Sequence, residues 1–308
     1  MTEPIVITVG GGKGGIGKST SVANIGFLLS EQGFSVGFID GDLGGANLHL
    51  CLGIRRPSRG IQDFISGKYP SLDQVALPLG FPRSWLISAA SDILDQANPS
   101  YAVKRKLLNN IRRLQADFVL IDLGAGSSSN VTDFFAAFPY SIVVLDNLPT
   151  SIENAYGFIK NGIIRGLLQL FPGLKEIQAF IHRAGSIGPD SFATVGEMLE
   201  TAQRRYGNEC RIMREWLASR KVFLILTMVK SADDVGVVSK FQGLIKKYLG
   251  IGAQYIGYVA NLPEVRASIR ELKPLVAMHD SGKARECYDA ITRNLAALTK
   301  GKMVDGIH

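Results

Sequence analysis

The sequence predicts an α/β fold with one doubly wound, mostly parallel sheet and helices on both faces. Two observations predict this class. Short apolar runs rich in β-branched residues alternate with longer helical segments along the chain, which is the pattern of a parallel sheet covered on both faces. The chain has 308 residues, of which 46% are hydrophobic and 20% charged, so it can bury one large core. We therefore expect a single domain over residues 1–308.

Each expected strand is a short apolar run, and each expected helix is a longer segment with apolar residues at helical spacing. The strands are expected at Ile5–Val9, Phe34–Ile39, Trp85–Ser88, Phe118–Ile121, Ser141–Leu145, Val222–Leu226 and Gln254–Val259. The helices are expected at Ser19–Ser30, Tyr101–Gln115, Ile152–Leu170, Ala232–Leu249 and Lys283–Leu298. Gly33 is expected to cap the first helix, whose apolar stripe comprises Val22, Ala23, Gly26, Phe27 and Leu29.

The interval 171–221 is unusually long for a connection between a helix and the next strand. Pro172 and Gly188-Pro189 break it. We expect a helical insertion of one or two helices there, within the same domain.

The glycine-rich stretch GGGKGGIGKSTS, from Gly10 to Ser21, joins the first strand to the first helix. Gly12, Gly14 and Gly17 satisfy the dinucleotide pattern G-x-G-x-x-G. The same stretch from Gly12 also satisfies the P-loop pattern G-x-x-x-x-G-K-[ST]. Both motifs need a strand, a glycine turn and a helix N-terminus, so the glycines do not decide between them.

Lys18, Ser19 and Thr20 favour the P-loop. A dinucleotide pyrophosphate is held by backbone N–H groups and the helix dipole, without a dedicated cation. A terminal phosphate with Mg²⁺ needs an ammonium on the β and γ oxygens and a hydroxyl on the metal. The strand that begins at Phe118 ends in Asp122, a carboxylate that can hold Mg²⁺, usually through water. The sequence therefore predicts a nucleoside triphosphate site with magnesium.

Residues 13–19, Lys-Gly-Gly-Ile-Gly-Lys-Ser, resemble the deviant Walker A motif of the MinD/ParA ATPases. The resemblance implies the P-loop NTPase fold, ATP and Mg²⁺ as ligands, and a homodimer that forms on ATP. It also implies that Lys13 reaches the nucleotide of the other subunit, whereas Lys18 serves its own. The loop residues expected to bind nucleotide are Gly12, Lys13, Gly14, Gly15, Ile16, Gly17, Lys18, Ser19 and Thr20.

Other segments extend this resemblance. The segment from Phe38 to Leu48 is similar to the family's D-x-D switch I, which implies that Asp42 positions the attacking water and that Asp40 lies near the magnesium. Residues 121–126 are similar to switch II. The runs Asp42-Leu-Gly-Gly-Ala-Asn and Thr150-Ser-Ile-Glu-Asn-Ala-Tyr are most similar to the FlhG/FleN-like branch.

The chain also departs from the family pattern. Thr227 stands where many relatives carry an asparagine that reads the base, so Thr227 is the expected base-side residue. Asn147 and Leu148 stand where many relatives have Pro-Glu, and Ala260 stands where a proline is usual. Adenine rather than guanine is expected from the resemblance alone.

Composition excludes other classes of protein. The three cysteines are scattered without C-x-x-C and the four histidines show no ligand spacing, which argues against zinc and iron–sulfur sites. There is no apolar run of about 18 residues and no signal peptide, so we expect a cytoplasmic protein. Residues 300–308 are too few for a membrane-targeting helix. Peripheral membrane association through a partner stays open.

The net charge is +7, with basic clusters around Arg55, Lys104 to Arg113, and Arg204 to Lys221. Solvated helix faces are the default interpretation, and a surface for DNA, an anionic membrane or an acidic protein is the alternative.

The predicted function is a Mg²⁺-dependent ATPase with slow turnover that acts as a positional or regulatory switch with a protein partner or activator. Two alternatives stay open: a metallocluster carrier or metal-insertion ATPase on the same fold, and a ParA-like DNA-binding protein gated by ATP.

Overall fold

A computed structural model describes residues 3–42, 45–90, 101–186 and 188–299. Leu43 and Gly44 of the predicted switch I segment, and the predicted tail at 300–308, lie outside these residues. Eight strands form one sheet: β1 Ile5–Gly10, β2 Val36–Asp40, β3 Leu77–Pro78, β4 Ser84–Ile87, β5 Phe118–Asp122, β6 Tyr140–Leu145, β7 Lys221–Val229 and β8 Ala253–Ala260.

The strand order is β3-β4-β2-β5-β1-β6-β7-β8, and every pair is parallel except β3 with β4. The prediction of a mostly parallel, doubly wound sheet is confirmed, with all seven predicted strands. The two-residue strand β3 was not predicted because so short a segment has no periodicity to detect.

Twelve α-helices are described: α1 Lys18–Glu31, α2 Leu48–Cys51, α3 Ile61–Ile65, α4 Tyr101–Ile111, α5 Ser129–Ala137, α6 Pro149–Gln169, α7 Lys175–Gly185, α8 Val195–Arg205, α9 Gly207–Ala218, α10 Gly236–Leu249, α11 Val265–Glu271 and α12 Gly282–Thr299. Within the described ranges, none of these helices combines the length and the apolarity that a membrane span requires.

Three helix predictions need correction. The interval 171–221 holds three helices, α7 to α9, rather than one or two. Helix α4 ends at Ile111 instead of Gln115, because the chain tightens into a turn through Leu114. The helix expected from Ala232 begins as a 3₁₀ turn, and regular α-helix starts at Gly236.

The sheet is buried on both faces, which explains the continuous apolar runs. Every residue of β1, β2 and β5 is buried. One core cluster joins the sheet to α5, α6 and the three helices α7 to α9, and the other joins it to α1 and α12. The insertion therefore packs on the same core as the sheet.

Helix α1 is buried on more sides than the predicted stripe indicates. Ile25 and Leu28 lie outside that stripe and are also fully buried. The reason is that α1 packs on the sheet and also against α12 and α2, so no single face is exposed. Gly33 has φ +90°, the left-handed conformation expected of the residue after a helix.

Gly26 sets how closely α1 approaches the sheet. A Cβ atom at Gly26 would lie 2.3 Å from ring atoms of Phe38 on β2 and 3.1 Å from Leu120 on β5. Both neighbours are fully buried. The close packing of helix and sheet therefore requires glycine here, despite its low helix propensity.

We predict that Gly26→Ala lowers the free energy of unfolding by about 1–2 kcal/mol, since the added methyl overpacks the core by more than the gain in helix propensity. Gly243→Ala is the matched control, because Gly243 also lies inside a helix but has no atom within 4 Å of its would-be Cβ. That control should gain about 0.5–1 kcal/mol. Urea unfolding measures both variants. An equal gain in both would show that Phe38 yields to the methyl group.

Candidate functional site

The loop between β1 and α1 lies at the carboxyl edge of the sheet, near its centre. Gly12, Gly15 and Gly17 have φ +56°, +75° and +87°, a conformation that favours glycine. Ile16 is buried beneath the loop, and its carbonyl accepts a hydrogen bond of 2.9 Å from the Thr227 hydroxyl on β7. The loop is therefore a fixed cradle whose backbone N–H groups lead into the N-terminus of α1.

Lys18 is the first residue of α1, and its side chain folds back over this cradle. It is only 8% exposed, and its Nζ donates a hydrogen bond of 3.0 Å to the Lys13 carbonyl. Burial lowers the pKa of Lys18, while the nearby charges of Asp122 and Asp42 oppose that shift. No carboxylate of the described residues comes within 4.0 Å of this ammonium in an ion pair. The charge is thus available to an anion in the cradle.

Asp40 and Asp122 end neighbouring strands and are register partners across β2 and β5. The pKa of each carboxyl is raised to about 7, mainly by burial, and in Asp40 the charge of Asp122 contributes to the same shift. The hydrogen bond of Asp122 with the Ser19 side chain opposes its shift, as does the charge of Lys18. The strand ends therefore concentrate negative charge directly beside the loop.

The pair Ser19 and Asp122 fits a magnesium ion. The Oδ1 atom of Asp122 is buried and has no hydrogen-bond partner among the described residues. An unpartnered buried carboxylate oxygen beside a hydroxyl is an oxygen donor set of the kind Mg²⁺ prefers. Asp40 differs, because its two oxygens accept the backbone N–H groups of Asp42 and Leu48, both at 3.1 Å. Asp40 shapes the turn that carries Asp42.

Asp42 brings the two predicted switch segments together. Its carboxylate lies so near Gly124 that a Cβ atom there would be 3.0 Å from the Asp42 Cγ. Gly45, three residues further along the chain, is similarly close to the Asp42 Oδ2. Asp42 thus lies where the two predicted switch segments meet.

Lys13 lies outside the cradle, against its own chain. Its Nζ is 3.9 Å from the Asp146 Oδ2, and its side chain is 35% exposed, whereas that of Asp146 is 6% exposed. The Asp146 Oδ1 also accepts the Leu148 N–H at 3.0 Å, at the start of α6. Sequence analysis missed Asp146. The signal was present, since Asp146 follows the end of an apolar strand, just as Asp40 and Asp122 end theirs.

A cavity of about 750 Å³ extends from the loop to the ends of β7 and β8 and to α11. Thr227 lines it, but its hydroxyl donates to the loop, so only an acceptor lone pair remains for a ligand. Sequence analysis assigned no role to the other lining residues on this side, which include Met228, Asn261, Leu262, Pro263, Arg266 and Ile269. Met228 has φ +58°, an uncommon conformation for a non-glycine residue.

A family profile described as the CobQ/CobB/MinD/ParA nucleotide binding domain matches residues 7–298. This chain belongs to that family. The resemblance to MinD/ParA proteins is therefore confirmed.

Curated relatives of this MinD/ParA-family protein include antiactivator FleN of Pseudomonas aeruginosa, 33% identical over 157 residues that cover 50% of this chain and 55% of FleN. The flagellum site-determining protein YlxH of Helicobacter pylori is 29% identical, over 50% of this chain and 52% of YlxH. Septum site-determining MinD of Chlorella vulgaris is 30% identical, over 58% and 61%. The chain thus spans about half to three fifths of the length of these relatives.

Solved structures confirm the fold of this MinD/ParA-family protein. MinD of Pyrococcus horikoshii, complexed with Mg-ADP, superposes with a TM-score of 0.65 at 21% identity, over 98% of this chain and 99% of that one. MinD in the MinC:MinD complex of Aquifex aeolicus gives a TM-score of 0.62 at 20% identity, over 95% of each chain.

We predict that the magnesium-free protein loses stability as the pH rises from about 4 to about 7. In that range Asp40 and Asp122 keep protons in the folded state that the unfolded chain has released, so deprotonation favours unfolding. Asp122→Asn should therefore lose less stability than the wild type between pH 5 and pH 8. Urea unfolding in the presence of a chelator measures this. The exposed Asp73→Asn is the control, and an equal loss in Asp122→Asn and wild type would contradict the prediction.

Proposed function

We propose that this chain is a Mg²⁺-dependent ATPase that dimerises on ATP, hydrolyses it slowly and acts as a positional or regulatory switch. One observation carries the proposal. A buried lysine, a hydroxyl and an unpartnered carboxylate oxygen converge on a glycine cradle, while a second lysine of the same loop lies outside it. Lys18, the Ser19 hydroxyl and the Asp122 carboxylate suit a triphosphate with its metal. Lys13 is not needed to bind a phosphate in its own loop.

In the proposed mechanism, the loop N–H groups and Lys18 hold the β and γ phosphates. Ser19 and Asp122 would hold Mg²⁺, directly or through its water. When bound, the ion neutralises charge that develops on the phosphate oxygens. Asp42 orients the attacking water, and Asp40 fixes the turn from which Asp42 acts.

Lys13 is proposed to act on the nucleotide of the partner subunit. Its contact with Asp146 is long, and the lysine side chain is about one third exposed. A separation of 3.9 Å is longer than a charge-assisted hydrogen bond, so a phosphate of the partner's ATP can displace Asp146 from Lys13. A lysine from the second subunit then supplies charge in the way that an arginine finger does.

A site for the nucleotide base and a protein partner are also part of the proposed function. The cavity toward β7 and β8 is proposed to hold adenine, with Thr227 lining it and offering an acceptor. A solved MinD of Aquifex aeolicus is in complex with MinC, which supports a protein partner for this chain too. A cytoplasmic location, with membrane association only through such a partner, fits this role.

We predict that Lys18→Ala weakens ATP binding by about 100-fold, the equivalent of roughly 3 kcal/mol, because the phosphates lose the buried cation of the loop. Lys13→Ala should bind ATP as the wild type does, but should not dimerise on ATP. Calorimetry and light scattering measure the two properties, with the exposed Lys240→Ala as a matched control. Unchanged ATP binding by Lys18→Ala would remove the P-loop assignment.

We further predict that an inactive Lys13→Ala chain and an inactive Asp42→Ala chain recover ATPase activity when they are mixed. In the mixed dimer, the Lys13→Ala chain keeps its own Asp42 and receives Lys13 from its partner, which completes one site. Asp42→Ala alone should bind ATP and accumulate as a dimer, since hydrolysis is blocked. ATPase assays on each variant and on the mixture measure this. Heterodimers without recovered activity would show that Lys13 serves its own subunit.

A further inference from the structure

Two basic clusters that are far apart in the sequence meet in one cleft. The cleft has a volume of about 420 Å³ and lies between α4, α5, α6 and the end of α9. Its cations are Lys104, Arg105 and Arg112 from one cluster and Arg220 from the other. Arg220 directly precedes β7, so the cleft lies near the edge where the strands begin, opposite the nucleotide loop. This basic cleft is separate from the proposed ATP site.

The charge in the basic cleft is not balanced by its own lining. Asp133 is the one carboxylate among the described lining residues, and it is buried. It already accepts Lys104 Nζ at 3.1 Å, Arg165 Nε at 2.6 Å and Gln169 Nε2 at 2.8 Å. Among the described residues no carboxylate pairs with Arg105, Arg112 or Arg220. Three guanidinium groups therefore lack a described counter-ion.

Two of these guanidinium groups are held firmly in place. Arg220 lies 4.4 Å from the centre of the Trp216 ring and donates to the carbonyls of Ala136 and Phe138, at 3.2 and 2.9 Å. Arg112 donates to the Ala137 carbonyl at 2.8 Å. Burial lowers the pKa of Arg220 to about 10, because no anion offsets the loss of water around its charge.

Capping of helix α5 explains part of this arrangement. The carbonyls at the end of a helix carry about half a negative charge, which favours nearby cations. That partial charge does not balance two guanidinium groups. It also leaves Arg105 unexplained, because Arg105 is exposed and makes no hydrogen bond to a described residue. The surplus charge points to a ligand.

We propose that the basic cleft binds a phosphate group, either of a small soluble compound or of a lipid headgroup. One carboxylate occupies a single guanidinium fork, whereas a phosphate has enough oxygens and charge to engage several cations at once. The cleft is recessed between helices, and its volume falls in the range of small-molecule sites. Duplex DNA would require a continuous basic stripe instead of a pocket.

Inorganic phosphate is the first ligand to test, and its binding is measured by ³¹P NMR and calorimetry. The wild type should show two kinds of phosphate site, one lost in Lys18→Ala and the other retained. Arg105→Gln should weaken the retained site by about 5- to 10-fold, in line with the loss of one charge-assisted hydrogen bond. Arg220→Lys should weaken it similarly, because lysine keeps the charge but lacks the planar group that contacts Trp216 and donates to Ala136 and Phe138, which holds that charge at the cleft.

Arg113→Gln is the matched control, since Arg113 is exposed on the segment that follows α4 but does not line the cleft. It should bind phosphate as the wild type does. Circular dichroism and thermal unfolding establish that Arg105→Gln and Arg220→Lys are folded. Equal phosphate binding in Arg105→Gln and wild type, or no phosphate site beyond the one lost in Lys18→Ala, overturns the proposal.

A second arm identifies the source of the phosphate. The protein is sedimented with phosphatidylcholine vesicles that contain phosphatidic acid. If Arg105→Gln reduces the sedimented fraction of the protein and Arg113→Gln does not, the cleft binds a lipid headgroup. Phosphate binding without such sedimentation assigns it to a soluble compound. Binding of poly-glutamate or random duplex DNA that depends on Arg105, without phosphate binding, overturns the proposal in favour of a macromolecule. The proposal does not depend on ATP hydrolysis, so either can fail alone.

Discussion

The parallel register of the central strands is the constraint on which the rest of the site depends. Because β2, β5, β1 and β6 are neighbours and parallel, their carboxyl ends meet at one edge of the sheet. Three of these strands deliver an aspartate to that edge or just beyond it, and the fourth delivers the glycine loop with its two lysines. Lys18 faces the acidic ends of β2 and β5, and Lys13 faces Asp146 after β6. The different surroundings of the two lysines follow from this order of strands.

The same arrangement makes the ligand-free site costly. Two buried carboxyls whose pKa values lie near 7 destabilise the folded chain when they ionise, and their mutual repulsion adds to that cost. A cation bound between Ser19 and Asp122, as proposed, would reduce the repulsion. Binding of that cation would then stabilise the folded chain.

The sheet and the loop could be predicted from the sequence because both are encoded by local patterns. The strands of a fully covered parallel sheet are unbroken apolar runs, and Lys18 and Ser19 belong to a motif of fixed spacing. Contacts between distant parts of the chain could not be predicted in this way. Helix α1 is buried on several sides because α12 packs against it. Asp146 lies near Lys13 because β6 pairs with β1, and this pairing is not encoded in the local sequence.

The basic cleft illustrates the same limit. Arg112 and Arg220 are separated by more than a hundred residues, and no sequence pattern indicates that both cap the end of α5. Sequence analysis found each cluster, with solvated helix faces as the default interpretation and a surface for DNA, an anionic membrane or an acidic protein as the alternative. The number of charges was visible in the sequence, whereas their convergence required the packing of α4, α5 and α9 around α6.

Helix α6 gives this geometry a mechanical consequence. It has 21 residues and is therefore roughly 30 Å long. Its first turn follows Asp146, the residue that holds Lys13, and its last turn carries Gln169, which lines the basic cleft. The Lys13–Asp146 contact and the basic cleft thus lie at opposite ends of α6, which packs between the sheet and the helical insertion. A rigid-body tilt of α6 would therefore move residues beside the Lys13–Asp146 contact and residues of the basic cleft together, although the two lie at opposite edges of the sheet.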